Sequence, residues 1–308
     1  MRTLDFELWP PFAYNPRVSA AKTSPFNAAT RCCAVLGQPI RHSASPAMQN
    51  AGIAALKLNW RYLACEVDPK NLRAAIAGAR ALGFVGLNLT VPHKLLAVKM
   101  VDALAPSAQT WGAVNTIQFV TRHGKTLAVG HNTDADAITA SLRADLGVKL
   151  RGAKVLLLGA GGAGRTAALK LAADGVAELF LVNRTASKAQ AVAREIKRRF
   201  PRVKVSVGYP SGQVDLLLNA TSLGLKPGDA SPLDAKQFPL TNTRAVYDMI
   251  YRPAETPLLQ AAKRAGCKTA NGLGMLLHQG AAALEIWSGQ RAPVAVMRRA
   301  LVKEVYGI

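Results

Sequence analysis

Acidic and aromatic residues are both scarce in this chain of 308 residues. It has 18 Asp and Glu against 39 Lys and Arg, which gives a formal net charge of +21, and aromatic residues make up 6%. No run of about 18 apolar residues occurs, so we expect no membrane-spanning helix. Asp5 and Glu7 lie near the start without an apolar block after a basic patch, so we expect no signal peptide.

Cysteine is scarce as well. The four thiols show no metal-ligand spacing, and two of them stand in an apolar, strand-like run; they are Cys32, Cys33, Cys65 and Cys267. This pattern favours reduced core thiols over a disulfide framework or a metal site. It predicts a cytoplasmic protein that holds no metal.

The excess of basic residues is spread along the chain rather than gathered in one tail. The densest cluster lies at a predicted helix end and the turn after it: Arg194, Lys197, Arg198, Arg199, Arg202 and Lys204. No nucleic-acid-binding module accompanies it, so we expect no specific nucleic-acid binding. A basic surface that attracts small anions is the simpler interpretation, and a polyanion-binding protein is an alternative that rests on charge alone.

Strand-like and helix-like segments alternate from residue 31 onward. Residues 1–30 are rich in Pro, Ala, Ser and Asn without a period, and they predict a poorly ordered extension. The alternation predicts an α/β fold in which parallel sheets are covered by helices on both faces.

The segment Gly86–Lys94 combines the end of a strand with the start of a helix. We predict a strand over Val85–Thr90 and a helix over Pro92–Val101, with Pro92 at the first helical position. Lys94 would then lie near the positive end of the helix dipole, where a lysine is easier to use as an acid or base. A surface lysine after an ordinary turn is the simpler alternative.

A glycine-rich loop follows the predicted strand Lys154–Leu158 and opens a helix. Its G-x-G-x-x-G pattern allows a tight turn, close approach of the backbone to a pyrophosphate, and close packing of helix on strand. The loop predicts a Rossmann-type, doubly wound unit with the dinucleotide at Gly159, Ala160, Gly161, Gly162, Ala163 and Gly164.

The end of the next strand indicates which dinucleotide binds. After Glu178–Val182 the chain has Asn183, Arg184 and Thr185, with Lys188 one helical turn further on. An NAD site normally has a carboxylate here for the ribose 2′-hydroxyl, whereas a guanidinium suits a 2′-phosphate. The sequence therefore predicts NADP, with Arg165 as a second candidate for phosphate contact.

Several motifs, in this order along the chain, resemble the shikimate dehydrogenase family. They are Gly37–Pro46, Asn88–Lys94, Gly112–Thr116, Asn132–Asp134, the glycine loop, Asn219–Ser222, Tyr247–Asp248 and Gln279. The resemblance covers about residues 31–308 and implies an N-terminal α/β substrate domain plus a Rossmann-type NADP-binding domain. It also implies reversible NADPH-dependent reduction of 3-dehydroshikimate to shikimate, in the pathway to chorismate and aromatic amino acids.

The resemblance further implies a role for individual residues. Lys94 and Asp134 would be the catalytic pair. The substrate would contact Ser43, Ser45, Asn88, Thr90, Asn115, Tyr251 and Gln279, and the cofactor would also contact Thr221, Ser222, Gly272 and Met275. Since Gln279 must reach the substrate, the tail should return, giving one domain of 31–134 plus 272–308 and a second of 135–271.

Simpler interpretations exist for several of these residues. Ser43 and Ser45 suit a turn or helix cap, Asp134 suits a cap, and Asn115 suits a turn that needs backbone hydrogen bonds. At the level of function the alternatives are a quinate/shikimate dehydrogenase, or a nucleotide-binding regulatory protein that has lost its chemistry. Retention of both Lys94 and Asp134 argues against the second. We expect a monomer or a homodimer.

Overall fold

The described part of the chain forms two six-stranded sheets, each covered by helices. The structure is a computed structural model that describes residues 26–226 and 228–308. It confirms the predicted α/β class. None of the helices in these ranges is long and apolar enough to cross a membrane.

The first sheet has the strand order β2-β1-β3-β5-β6-β4. Its strands are β1 (Arg31–Gly37), β2 (Trp60–Glu66), β3 (Gly86–Leu89), β4 (Ala103–Leu104), β5 (Thr116–Arg122) and β6 (Lys125–His131). β5 pairs antiparallel with both β3 and β6. The expectation of a parallel sheet is therefore wrong for this sheet, which is mixed. The two-residue turn at His123 and Gly124, both at positive φ, makes β5 and β6 an antiparallel hairpin.

Six helices from the described residues pack on or beside the first sheet. They are α1 (Ser45–Ala55), α2 (Leu72–Ala81), α3 (His93–Leu96), α4 (Pro106–Trp111), α9 (Leu273–Ser288) and α10 (Val294–Tyr306). The last two return from the far end of the chain, and Leu284 and Met297 join Met48 and Ile53 of α1 in one buried cluster. We call this sheet with these six helices the first lobe; the predicted domain boundaries themselves stay a prediction.

The second sheet is parallel throughout, in the order β12-β11-β10-β7-β8-β9. Its strands are β7 (Lys154–Leu158), β8 (Glu178–Val182), β9 (Lys204–Val207), β10 (Val214–Asn219), β11 (Thr243–Asp248) and β12 (Lys268–Asn271). Helices α6 (Gly162–Ala173), α7 (Ala186–Arg199) and α8 (Pro257–Arg264) cover it and complete the second lobe. Counted from β7 the order is that of a doubly wound dinucleotide fold. Helix α5 (Asp134–Leu146) contacts α6 and α9, one from each lobe.

The helix predicted over Pro92–Val101 is wrong in length. Only His93–Leu96 is α-helical, a 3₁₀ turn follows, and Pro92 precedes the helix after a cis peptide bond. The carbonyl of Lys94 accepts from the amide of Val114 at 2.9 Å, so a neighbouring segment takes the group that a longer helix would need. A helix of one turn also has little dipole to act on Lys94.

Part of the predicted extension belongs to the fold. Residues 26–30 contact β2, because Asn27 and Thr30 hydrogen-bond to Asn59 and the Arg61 guanidinium stacks on the ring of Phe26. The prediction of poor order is therefore wrong for these five residues, and for residues 1–25 it lies outside the described part of the chain. The sequence patterns also missed β4, α4 and α8, which are short.

Candidate active site

Two cavities of about 460 and 480 Å³ meet between the lobes. The first lies against α1, β3 and α9, and the second lies against the glycine loop. Five side chains or loop residues border both: Val91, Lys94, Asp134, Ala163 and Met275. A substrate in the first cavity and a dinucleotide in the second would therefore meet at Lys94 and Asp134.

Lys94 and Asp134 form an ion pair at the junction of the cavities. The Lys94 Nζ lies 2.7 Å from the Asp134 Oδ2, and the two side chains are 32% and 11% exposed. Three hydrogens are available on an ammonium group, so Nζ can donate to Asp134 and still face a substrate oxygen. The pair joins the short helix α3 to the start of α5, 40 residues apart.

The side chain of Asp134 does not cap helix α5. The amide of Ala135 donates to the Asn132 Oδ1 at 3.2 Å, and the Asn132 amide group donates to the Ala113 carbonyl. Asn132 therefore supplies the oxygen that a free helix amide requires. This leaves the Asp134 carboxylate to Lys94 and the cavity, so the simpler interpretation of Asp134 as a cap is wrong.

Ser43 and Ser45 lie where α1 begins, and both line the first cavity. Ser45 is the first residue of the helix, and its amide makes a long bond of 3.3 Å to the Ser43 Oγ. The N-terminus of a helix attracts an anion, because unpaired amides and the helix dipole point towards it. Two hydroxyls at such an end fit a carboxylate.

Asn88 lines the cavity and is fixed from behind by a buried polar layer. Its Oδ1 accepts from the Tyr62 hydroxyl at 2.7 Å, and its Nδ2 donates to the Thr116 Oγ1 at 3.0 Å. Asn115 lies in this layer rather than at the cavity surface. The Asn115 side chain accepts from the backbone amide of Thr133 at 2.8 Å and donates to the Thr133 Oγ1 at 2.9 Å. Contact of Asn115 with a substrate stays a prediction.

The remaining predicted substrate residues line the first cavity with Lys94. They are Thr90, Tyr251 and Gln279, and Gly272 and Met275 border the same space. Burial raises the pKa of Tyr251, so its hydroxyl stays neutral and can donate. A Cβ on Gly272 would overlap the Met249 carbonyl, which explains a glycine there. Gln279 reaches this cavity because α9 returns to the first lobe.

The glycine loop has the shape that a dinucleotide site requires. Gly159 has φ +102°, and a Cβ on Gly164 would overlap the Gly159 carbonyl, so these two glycines allow the turn and the close packing of α6. A Cβ on Gly161 or Gly162 would meet nothing within 4 Å. The open cradle at the start of α6 thus fits a pyrophosphate.

The segment after β8 holds the loop and presents cations. Asn183 accepts from the amide of Ala160 at 2.9 Å and donates to the carbonyl of Thr185. Arg184 and Lys188 are exposed, and neither has an ion-pair partner within the described ranges. Lys188 borders the second cavity. Both cations are therefore free to bind a phosphate, and together with the open cradle they fit NADP.

Arg165 borders the second cavity with its guanidinium already engaged. Its Nε and Nη2 donate to Glu195 at 2.8 and 2.7 Å, and its Nη1 donates to the Trp111 carbonyl at 2.9 Å. On the strand side, Asn219 holds the amide and the hydroxyl of Thr221, and Ser222 is exposed. Phosphate contact by Arg165 and cofactor contact by Thr221 and Ser222 stay predictions.

Sequence comparisons agree with this geometry. The profile of the shikimate dehydrogenase substrate binding domain matches residues 35–117, that of shikimate / quinate 5-dehydrogenase matches 141–221, and that of the shikimate 5′-dehydrogenase C-terminal domain matches 272–302. A shikimate dehydrogenase (NADP(+)) of Symbiobacterium thermophilum is 42% identical over 90% of this chain and 95% of its own. The chain belongs to the shikimate dehydrogenase family.

Solved structures with similar folds include enzymes that are named for different substrates. A crystal structure of a shikimate dehydrogenase in complex with NADP+ has a TM-score of 0.83 at 38% identity, covering 93% of this chain and 99% of its own. A 5-ketofructose reductase of Gluconobacter sp. strain CHM43 has a TM-score of 0.78 at 36% identity, covering 89% and 99%. The two-lobed architecture with a Rossmann-type unit is thus that of the shikimate dehydrogenase family.

Sequence reasoning missed several residues at the site of this family member. Gln38 and His42 line the first cavity, and Ala113 and Thr166 line the second. Gln38 and His42 belong to the motif that carries Ser43, so their position in it was the available signal. Within the described ranges, no group of three or more His, Cys, Asp or Glu could hold a metal ion. The four thiols are unpaired.

Proposed function

We propose that this chain catalyses the reversible NADPH-dependent reduction of 3-dehydroshikimate to shikimate. It is an oxidoreductase acting on a CH–OH group, with NADP as cofactor, and it serves the pathway to aromatic amino acids. The observation that carries this proposal is the ion pair of Lys94 and Asp134 at the meeting point of a polar cavity and an open glycine loop.

Lys94 supplies the proton that the reaction needs. Bound NADPH provides the hydride for the carbonyl carbon, and the carbonyl oxygen then requires a proton as negative charge develops on it. Charged Lys94 stabilises that charge and donates the proton. Asp134, 2.7 Å away, orients the Nζ and accepts from a ring hydroxyl. In the direction of oxidation the same lysine takes the proton back.

The start of α1 selects an acid. The substrate carboxylate binds at Ser43 and Ser45, where the hydroxyls and the helix end favour a negative charge. Asn88, Thr90 and Gln279 contact the ring hydroxyls and the carboxylate from the surrounding walls, and Tyr251 closes one side. A neutral keto sugar, the substrate class in the name of the Gluconobacter relative, lacks the group that this end of α1 recognises.

The cofactor selectivity rests on Arg184 and Lys188. Both are exposed cations beside the glycine loop, and no carboxylate stands at the end of β8 to hold a 2′-hydroxyl. Gly161 and Gly162 would cradle the pyrophosphate of the dinucleotide, and Met275, which borders both cavities, would contact the cofactor. A quinate/shikimate dehydrogenase is the second candidate, because the middle of the chain matches a profile that includes both activities.

A crossed spectrophotometric assay tests the proposal. Purified protein is given shikimate, quinate or 5-ketofructose, each with NADP or NAD in the appropriate redox state, and nicotinamide absorbance is followed. We expect the highest kcat/KM for shikimate with NADP. Higher kcat/KM for quinate would favour the second candidate, and turnover of 5-ketofructose alone would contradict the role given to the start of α1.

We further propose that the enzyme is cytoplasmic and a monomer or homodimer. Unpaired thiols support a reducing compartment, where disulfides are rare. Burial raises the pKa of the Cys33 thiol to about 12 and shifts Cys65 and Cys267 in the same direction, which makes these thiols poor nucleophiles. Fractionation of cells and sedimentation of the purified protein test the two statements separately.

A further inference from the structure

The end of helix α4 in the first lobe is held by two arginines of the second lobe. Arg165 of α6 donates to the carbonyl of Trp111 at 2.9 Å, and Arg199 of α7 donates to the carbonyl of Thr110 at 2.8 Å. Carbonyl groups in the last turn of a helix have no partner within it. Here both receive a charged donor from the opposite lobe.

Glu195 ties the two arginines together. It binds Arg165 through both carboxylate oxygens, at 2.8 and 2.7 Å, and its Oε1 also accepts from Arg199 at 3.1 Å. Although burial raises the pKa of Glu195, the hydrogen bonds and charges of the two arginines outweigh it and lower the pKa. The carboxylate is therefore charged at neutral pH, and it fixes both guanidinium groups in one orientation.

This arrangement adjoins the cofactor cavity. Arg165 follows the third glycine of the loop directly, and it borders the second cavity with Lys188. On the other side, Trp111 is 7% exposed and belongs to the apolar cluster that includes Leu157 and Leu169 of the second lobe. The contact is thus continuous from the packed core of the second lobe to the edge of the glycine loop.

We propose that Arg165, Glu195 and Arg199 form an interlobe clamp that sets the distance between the dinucleotide loop and the substrate cavity. The proposal rests on the proposed function, because its catalytic consequence is the placement of the two reactants. All three nitrogens of the Arg165 guanidinium donate to protein groups, which fixes its orientation although two of its five N–H groups remain. Within the clamp Arg165 is a positioning residue, and Arg184 and Lys188 bind the 2′-phosphate.

A set of variants separates clamping from phosphate binding. Arg165→Gln, Glu195→Gln and the double variant are compared in steady-state kinetics with NADP and with NAD. A clamp requires that each single variant lowers kcat by about tenfold or more with both cofactors, since a small misplacement of reactants is costly. The KM for shikimate should change little, and the double variant should lose no more than the worse single one.

Three kinetic outcomes would overturn the clamp. One is a loss confined to NADP in Arg165→Gln with Glu195→Gln unaffected, which would make Arg165 a phosphate ligand. Another is additive losses in the double variant. The third is a lowered melting temperature with unchanged kcat per folded molecule, which would leave only a structural role. Arg143→Gln is the matched control. Arg143 also forms an ion pair, with Asp174 at 3.2 Å, but this pair does not involve α4.

Hydrogen exchange tests the clamp without any activity. In the free protein, Glu195→Gln should speed amide exchange in residues 106–113 relative to wild type, whereas Arg143→Gln should not. Unchanged exchange there would overturn the clamp even if the enzyme is active. If Glu195→Gln speeds this exchange but the wild-type protein does not oxidise shikimate, the clamp is supported and the proposed function is refuted, so the two failures are distinguishable.

Discussion

At the scale of single residues, Lys94 is the group to which we assign the proton transfer. Lys94 borders both cavities, whereas Ser43, Ser45 and Gln279, which are proposed to bind the substrate, line only the first cavity. An interaction made mainly in the transition state lowers kcat and kcat/KM together when it is removed. We therefore expect Lys94→Ala to lower kcat by about 10²–10⁴-fold.

Shikimate affinity in this variant should fall much less, which a binding titration measures separately from the kinetics. Lys99→Ala, at an exposed position in the turn after α3, serves as the control and should keep full activity. If Lys94→Ala raised KM and kept kcat, Lys94 would be a binding residue and Asp134 the remaining candidate for proton transfer.

Arg184 carries the second prediction at this scale. Charge-assisted hydrogen bonds contribute about 1.5–3 kcal/mol, so Arg184→Gln should weaken NADP binding by roughly 10- to 100-fold. NAD binding should be nearly unchanged, because NAD has no 2′-phosphate. Fluorescence titration with both dinucleotides measures the difference, with exposed Arg194→Gln of α7 as the control. Equal losses for NADP and NAD would show that Arg184 is not the phosphate ligand.

At the scale of elements, the contact between β7 and α6 depends on Gly164. A Cβ there would overlap the backbone carbonyl of Gly159, and a backbone group cannot rotate away as a side chain can. We expect Gly164→Ala to lower the free energy of unfolding by about 1–3 kcal/mol and to weaken NADP binding, as urea unfolding and titration would show.

Gly78→Ala is the matched control for this substitution. Gly78 lies inside α2, and a Cβ there would meet nothing within 4 Å. Alanine should raise the free energy of unfolding by about 0.4–1 kcal/mol, because it restricts the unfolded chain without strain. A Gly164→Ala protein as stable as wild type, with normal NADP affinity, would contradict the close packing of α6 on β7.

The elements also show what sequence patterns can and cannot predict. The glycine loop and its flanking strands were predicted because local geometry, the turn at Gly159 and the packing at Gly164, dictates the residue type. The length of α3 was not, because it depends on the Val114 amide, which is distant in sequence. The role of Asn132 in freeing Asp134 and the contact of Arg165 with Trp111 are likewise tertiary, so no local period reveals them.

At the scale of the whole molecule, the buried histidines make stability depend on pH. Burial lowers the pKa of His93, His131 and His278, and each has a ring nitrogen that is buried without a hydrogen-bond partner among the described residues. In the unfolded chain these rings take up protons near their ordinary pKa of about 6.5. Below that pH the unfolded state therefore binds more protons than the native state.

The free energy of unfolding should consequently fall as the pH drops from 7.5 to 5.5, with a slope of up to about 1.4 kcal/mol per pH unit for each histidine that stays neutral when folded. Carboxyl groups with a shifted pKa also contribute, among them the partly buried Glu195 and the buried Asp248. Because the pKa of Glu195 is lowered on folding, its charged form stabilises the native state, and this stabilisation is lost as the pH falls below the ordinary pKa of about 4.5. The pKa of Asp248, raised by burial, works in the opposite direction, since its stabilising effect is lost as the pH rises through that pKa.

Urea unfolding at several pH values measures the slope, and His93→Leu tests its origin. His93 is 0% exposed and lies in α3 next to Lys94 in sequence, so replacing its ring should flatten the dependence between pH 7.5 and 5.5. His123→Asn, at the exposed hairpin turn where a positive φ suits asparagine, should leave the slope of wild type. If stability were constant or rose towards pH 5.5, the buried histidines would have to be protonated in the native state. The statement that His93 is neutral when folded would then be wrong.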